Sequence, residues 1–200
     1  MSLYPSELSR VVMTKTGGAV HVRPIRPGDG PQLAEFHRHL SPRSAYRRFF
    51  FVHPVLSAPE IERFTTVDYV DRLALVVDEG QQLMAVGRYD RSPGTGEAEV
   101  AFVVADLYQN QGIGTLLLEE LAAAGWRNGI TTFTASVLPE NREMLGVFTD
   151  SGFPVTTHAE DGVIAVRFPI QPDDAYRTAC AARHAKSQPR GRHRPMPAPC

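Results

Sequence analysis

The sequence predicts an α+β fold in which a mixed, mostly antiparallel sheet is flanked by helices. Three predicted strands follow one another closely within residues 72–106, which favours antiparallel pairing of neighbours. The next strand, residues 131–137, is reached only after a helix. Such a crossover makes a strand parallel to the one before it. The fourth and fifth predicted strands, 97–106 and 131–137, should therefore form a locally parallel pair.

The first third of the chain is predicted to hold one strand and three helices. Residues 20–23 alternate between apolar and polar side chains, as a half-buried strand does. Residues 32–40 place apolar side chains three to four positions apart, which is helical spacing. Two more helices should begin after Ser41 and Ser57. A proline follows the first serine, and a glutamate stands three residues after the second in capping-box spacing.

The rest of the predicted domain alternates between strands and helices. A short turn at Glu79-Gly80 joins the second and third strands as a hairpin. Apolar periodicity and the positions of glycine and asparagine set the boundaries of the other helices and strands. The remaining elements are strands 72–77, 82–90 and 97–106, a helix from about Ile113 to Gly129, strand 131–137, helix 141–150, a short strand near Val155-Thr156 and strand 163–168.

Composition divides the 200 residues into a lead-in, one domain and a tail. Residues 1–18 are weakly patterned, and residues 19–170 contain the predicted elements. Residues 171–200 are basic and proline-rich and contain no Leu, Ile or Val, so we expect a disordered tail with at most a short helix near 175–186. A basic tail that recruits an acidic partner is the functional alternative.

Charge and cysteine usage exclude several classes of function. The net charge of −1 gives no case for a nucleic-acid or acidic-membrane partner. No apolar run is long enough to span a membrane, and the N-terminus lacks the pattern of a signal peptide. Both cysteines, Cys180 and Cys200, lie in the tail, so we expect a core without disulfides and a cytoplasmic protein. The sequence does not predict an oligomeric state.

The most informative segment lies between a strand and a helix at residues 106–115. Gly112 and Gly114 lack side chains there, and backbone N–H groups at a helix N-terminus attract phosphate. The segment is not a Walker A loop, because no Gly-Lys-Ser/Thr follows. It is not a dinucleotide fingerprint either, because the third glycine is absent. What remains is the spacing Gln109-x-x-Gly112-x-Gly114.

This spacing, in this place, resembles the GNAT superfamily of acyl-CoA-dependent N-acyltransferases. The resemblance covers roughly residues 19–170 and implies the GNAT fold, in which the parallel pair is splayed. It also implies acetyl-CoA as co-substrate. The alternative is a plain strand-to-helix turn whose glycines allow close packing. The implied cradle for the pyrophosphate of coenzyme A consists of Gln109, Asn110, Gln111, Gly112, Ile113, Gly114 and Thr115.

The resemblance assigns further cofactor contacts outside the turn. Backbone N–H groups near the end of the strand, at Val103 and Val104, would hold the acetyl carbonyl and the pantetheine arm. Asn141, at the head of the last helix, would contact the pantetheine, although an N-cap role explains it equally. Many family members carry a tyrosine on this helix that protonates the departing thiolate. The matching position here is Phe148, which cannot donate a proton.

Glu99 is the candidate catalytic residue. Strand alternation puts Glu97, Glu99, Ala101 and Val103 on one face, so Glu99 would lie over the acceptor side of the cleft. A lysine amine with a pKa of about 10.4 must lose a proton at a cost of about 4.6 kcal/mol at pH 7. A carboxylate there could accept that proton. A surface glutamate is the plain alternative, and Glu97 is the competing carboxylate.

Three segments narrow the resemblance to bacterial Pat-type protein lysine acetyltransferases. Residues 99–106, 41–50 and 66–69 look like matching stretches of that group, in which the glutamate at the position of Glu99 is the general base. We therefore expect an N-acetyltransferase whose favoured acceptor is a protein lysine. A small-molecule amine acetyltransferase and a non-catalytic acyl-CoA-binding sensor are the alternatives.

Two further groups of residues have open roles. Tyr46, Arg47 and Arg48 could line the acceptor groove, or they could serve packing and solvation. The histidines His21, His37, His39 and His53 show no metal-ligand spacing with cysteine or carboxylate, so they are interpreted as structural or exposed and no metal is expected.

Overall fold

An eight-stranded mixed sheet with helices on both faces forms the fold. It is seen in a computed structural model that describes residues 3–14 and 17–187. The strands are β1 Arg10–Met13, β2 Ala19–Pro24, β3 Arg72–Glu79, β4 Gln82–Arg91, β5 Glu97–Val104, β6 Thr132–Val137, β7 Thr156–Glu160 and β8 Val163–Pro169. The α-helices are α1 Gly30–Arg38, α2 Pro42–Phe49, α3 Ala58–Thr65, α4 Ile113–Arg127, α5 Arg142–Thr149 and α6 Asp174–Ser187.

The strand order β1-β2-β3-β4-β5-β6-β8-β7 confirms the predicted fold class. All neighbouring strands are antiparallel except β5 and β6, which are parallel. The parallel pair is therefore the fifth and sixth strands, where the prediction had the fourth and fifth. The difference arises because β1 lies in the segment predicted as a lead-in. This strand is mostly exposed at the sheet edge, so the apolar alternation that marks a strand is weak there.

The parallel ladder between β5 and β6 is short. Its last registered pair is Glu99 with Thr134, and β5 then continues to Val104 with β4 as its partner. Strands that are no longer hydrogen-bonded to each other can splay apart. The backbone of β5 beyond Glu99 is thus open on the β6 side, which positions the cleft described below.

The sheet buries a core on each face, and β5 contributes to both. Ala98, Val100 and Phe102 pack in the larger core with α4 and α5. Val103 packs in the second core, formed with α1, α2 and α3. The predicted alternation along β5 is therefore correct, and Glu99 lies on the face that α1 to α3 cover.

The C-terminal segment is attached to the domain by an aromatic contact. Helix α6 corresponds to the short helix predicted near 175–186, and the Tyr176 ring stacks on Phe153 with a centroid distance of 4.2 Å. Packing therefore extends past residue 170. The disorder expected for the rest of the tail, and Cys200, lie outside the described residues. Among the residues that are described, no helix is long and apolar enough to cross a membrane.

Candidate active site

The glycine turn leads into the N-terminus of α4. The first backbone N–H groups of this helix lie before its hydrogen bonds begin. Gly112 has a left-handed backbone with φ +83° and is the N-cap of α4. The ladder begins with the Leu116 N–H donating to the Gly112 carbonyl at 3.0 Å. The N–H groups of residues 112–115 therefore precede it, at the positive end of the helix dipole. Such an arrangement suits a phosphate.

The same turn allows two helices to approach closely. A Cβ atom placed on Gly114 would lie 3.3 Å from Cγ2 of Val147 in α5, tighter than ordinary packing. The glycine at this position therefore serves packing as well as access to the backbone. Asn110, two residues before Gly112, also has a left-handed backbone with φ +61°, a conformation that asparagine tolerates well.

A hydrogen-bonded cluster joins the glycine turn to α2. The Asp106 carboxylate accepts bonds from the Ser41 N–H at 3.0 Å, the Ser41 hydroxyl at 2.7 Å and the Ser44 hydroxyl at 2.9 Å. Partial burial raises the pKa of Asp106, but these hydrogen bonds outweigh burial and the net pKa is lowered. Sequence reasoning missed this cluster, since its members are far apart in the chain.

We expect Asp106→Asn to lower the free energy of unfolding by about 1 kcal/mol at pH 7. The effect is smaller than for a buried carboxylate, because Asp106 is exposed and solvent screens its charge. Because the folded-state pKa is depressed, the stabilisation is present above the unfolded-state pKa of 3.8 and is lost as pH falls through the lower folded-state value. Urea unfolding of both proteins across this range measures it. A pH-independent difference would contradict a role for the ionised carboxylate.

Two predicted cradle side chains donate hydrogen bonds to backbone carbonyl groups. Gln109 Nε2 donates to the Val104 carbonyl at 3.0 Å and to the Ser44 hydroxyl at 3.1 Å. Gln111 Nε2 donates to the Leu107 carbonyl at 3.2 Å. Gln109 thus fastens the turn to the end of β5.

A cleft of about 390 Å³ opens between β5 and β6, with α2, α4 and α5 along its sides. Its floor and walls include nearly every predicted site residue, and Gln111 alone of that set is outside the lining. The predicted residues brought together are Glu99, Val103, Val104, Gln109, Asn110, Gly112, Ile113, Gly114, Thr115 and Asn141.

Asn141 fills the N-cap role that was the plain alternative. Its Oδ1 accepts from the Met144 N–H at 3.3 Å, and the residue is buried where α5 meets the cleft. The cap and a ligand contact are compatible, because the capping bond uses only the carbonyl side of the amide.

Glu99 and Glu97 have different surroundings. Glu97 is held by Arg167 at 2.6 Å, and this hydrogen bond lowers the pKa of Glu97. Glu99 is exposed and lines the cleft. Within the described part of the chain, the Glu99 side chain has neither a hydrogen bond nor an ion pair within 4.0 Å. Of the two carboxylates, Glu99 is the one that lines the cleft.

Residues 40–153 match the model of the Acetyltransferase (GNAT) family. The chain belongs to the GNAT family. This agrees with the splayed parallel pair and with the glycine turn at the head of α4.

Individual relatives support the same assignment. The chain is 32% identical over 166 residues to Acetyltransferase Pat of Mycolicibacterium smegmatis, which is 82% of this chain and 49% of the relative. It is 30% identical over 141 residues to Acetyltransferase PA5475 of Pseudomonas aeruginosa, covering 68% of this chain and 76% of the relative. The solved GNAT domain of S. lividans PAT superposes with a TM-score of 0.79 at 39% identity, covering 84% of this chain and 99% of that domain. The chain thus spans about half of the mycobacterial relative.

Two arginines of α2 line the cleft of this GNAT domain. Arg47 reaches across to the start of α5, where its guanidinium lies 3.2 Å from the Glu143 carboxylate and donates to the Glu140 carbonyl at 3.2 Å. Burial lowers the pKa of Arg48, and the charges of Glu99 and Asp90 partly offset that effect. Tyr46 is 43% exposed and is not part of the cleft lining.

Phe148 occupies the core of the GNAT domain. Its side chain is only 1% exposed, and its ring packs against Phe102 and Phe168 with centroid distances of 6.0 and 5.6 Å. It supplies apolar packing below the cleft and no proton. The described residues also contain no group of three or more His, Cys, Asp or Glu side chains placed to hold a metal ion.

Proposed function

We propose that this chain transfers an acetyl group from acetyl-CoA directly to an amine, with a protein lysine as the favoured acceptor and Glu99 as general base. The main support is that one cleft contains both halves of such a site. The phosphate-binding turn lies at one end, Glu99 lies at the other, and the open edge of β5 runs between them.

The donor half consists mostly of backbone. The amides at 112–115 would bind the pyrophosphate of coenzyme A, together with the backbone at Asn110. Val103 and Val104 both line the cleft on the part of β5 beyond the parallel ladder. The Ala105 N–H donates to the Met84 carbonyl, so by alternation the Val104 N–H lies on the open side of β5 and is suited to the thioester and pantetheine, whereas the Val103 N–H lies on the β4 side. The buried Asn141 amide would hold the pantetheine from the α5 side.

In the acceptor half, Glu99 takes a proton from the incoming ammonium, directly or through a water. The freed nitrogen attacks the thioester carbon and gives up its second proton to solvent, the carbon–sulfur bond breaks, and the thiolate of coenzyme A departs. No protein acid is required, because a thiol with a pKa of about 8.5 leaves as the anion. Phe148 is therefore compatible with turnover.

The choice of a protein lysine rests on two observations. The carboxylate is exposed at the mouth of the cleft, where a side chain of another protein could reach it. The segments 41–50, 66–69 and 99–106 also resemble Pat-type enzymes, and two relatives have an acetyltransferase name. A small-molecule amine is the nearest alternative acceptor.

Release of free thiol from acetyl-CoA tests both the donor and the acceptor. We expect release to rise on addition of a lysine-containing peptide and to rise less with short primary amines at equal concentration. Mass spectrometry of the peptide should show acetylation at the lysine ε-amine. A preference for the short amines would replace the protein acceptor with a small molecule.

A non-catalytic acyl-CoA sensor is the second candidate, and Phe148 in place of a proton-donating tyrosine favours it. Such a protein would bind acetyl-CoA in calorimetry but would release no thiol above spontaneous hydrolysis with any amine. The same two measurements therefore distinguish the sensor from the enzyme.

A further inference from the structure

We propose that the ring of Phe50 is the wall against which the methylene stem of the acceptor lysine packs, and that it makes the cleft selective for long amines. This proposal rests on the proposed lysine acetylation. It assigns a specificity-determining residue to the acceptor end of the cleft.

The backbone of Phe50 is strained for a residue with a side chain. Phe50 is the C-cap of α2 with φ 65° and ψ 6°, a left-handed conformation, and its N–H donates to the Tyr46 carbonyl at 2.7 Å. Glycine is the usual residue at such a helix end, since a Cβ atom is disfavoured there. Strain of this kind is concentrated at functional sites. The left-handed turn alone therefore does not explain why the residue at position 50 is a phenylalanine.

The ring is placed at the cleft, whereas its neighbours are not. Phe50 lines the same cleft as Glu99 and is 37% exposed. Phe49, one residue earlier, packs with the core under α1 to α3. Phe51 and Val52, one and two residues later, are 54% and 84% exposed and are not part of the cleft lining. Phe50 is thus the aromatic side chain of this stretch that lines the cleft.

The chemistry of a lysine side chain matches the Phe50 ring and the Glu99 carboxylate. Its four methylenes need an apolar surface, which a half-exposed aromatic ring provides. Glu99 then receives the proton. An amine without the long stem gains nothing from the ring, so Phe50 should discriminate by the length of the acceptor.

The test compares Phe50→Gly with Val52→Gly, which removes a more exposed side chain from the same loop. Glycine relieves the left-handed strain while the loss of the ring removes some packing, so the melting temperature should stay within about 4 °C of the parent. We expect the KM for a lysine peptide to rise about 10-fold in Phe50→Gly, with kcat within about 3-fold. The KM values for acetyl-CoA and for methylamine should not change. Val52→Gly should match the parent throughout.

An unchanged peptide KM in Phe50→Gly would overturn the assignment, as would an equal rise in Val52→Gly. A parallel rise in the methylamine KM would also overturn it, because the effect would not depend on the stem. If the parent protein acetylates no lysine peptide, both this proposal and the proposed function fail. If the parent does so and only the Phe50 effect is missing, the proposed function stands.

Discussion

Replacing Glu99 by glutamine is expected to lower kcat for lysine acetylation by about 10²–10⁴-fold while the Kd for acetyl-CoA stays the same. Glutamine keeps the size of the side chain but cannot accept a proton. Because Glu99 is exposed and makes no hydrogen bond or ion pair within 4.0 Å with the described residues, the main structural effect of the change is the loss of its favourable charge interaction with Arg48, so the fold should be disturbed little. Steady-state turnover and calorimetry on one preparation measure both quantities.

Glu97→Gln is the matched control. Glu97 lies two residues earlier on the same face of β5, but its carboxylate is bound by Arg167 and does not line the cleft. We expect its kcat to stay within about 3-fold of the parent, because it contributes no general base. Full activity in Glu99→Gln, or an equal loss in both variants, would remove Glu99 as the base.

The second large effect is expected from Asn110→Asp, which adds a negative charge to the glycine turn. Aspartate is nearly isosteric with asparagine and tolerates the left-handed backbone found at this position. A carboxylate several ångströms from a bound pyrophosphate costs about 1.4 kcal/mol, so the Kd for acetyl-CoA should rise about 10-fold. The effect should shrink as salt is added, since ions screen exposed charges.

Asn110→Gly separates the effect of charge from the loss of a side chain. It keeps the left-handed turn and the backbone N–H groups, so its Kd for acetyl-CoA should remain within about 3-fold of the parent. The aspartate variant should be at least as stable as the parent, because an acid near a helix N-terminus is favourable. Equal weakening in both variants, or no weakening in the aspartate variant, would contradict a phosphate site at this turn.

The sequence predicts the central elements well because their signals are local. Strand β5 alternates cleanly, so the face of Glu99 follows from counting by two, and the structure shows that face. The turn from Gln109 to Gly114 combines glycine spacing with an apolar helix immediately after it. Both signals lie within a few residues and need no knowledge of distant contacts.

The features that the sequence did not reveal depend on contacts between distant segments. The Asp106 carboxylate accepts hydrogen bonds from serines more than 60 positions earlier, and no periodicity in the sequence indicates that pairing. The inward direction of the Gln109 side chain depends on Ser44 in the same way. Strand β1 was missed because an exposed edge strand lacks alternation. The left-handed Phe50 was missed because glycine, rather than phenylalanine, is the usual sign of that conformation.

The most direct test of the account is mass spectrometry of acetyl-lysine in a cell lysate incubated with isotope-labelled acetyl-CoA and either the parent protein or Glu99→Gln. We predict labelled acetyl-lysine on specific proteins with the parent, and label at the level of spontaneous acetylation with the variant. Equal labelling by the two proteins, or no labelling above the spontaneous level by the parent, would contradict acetyl transfer to protein lysine with Glu99 as the base.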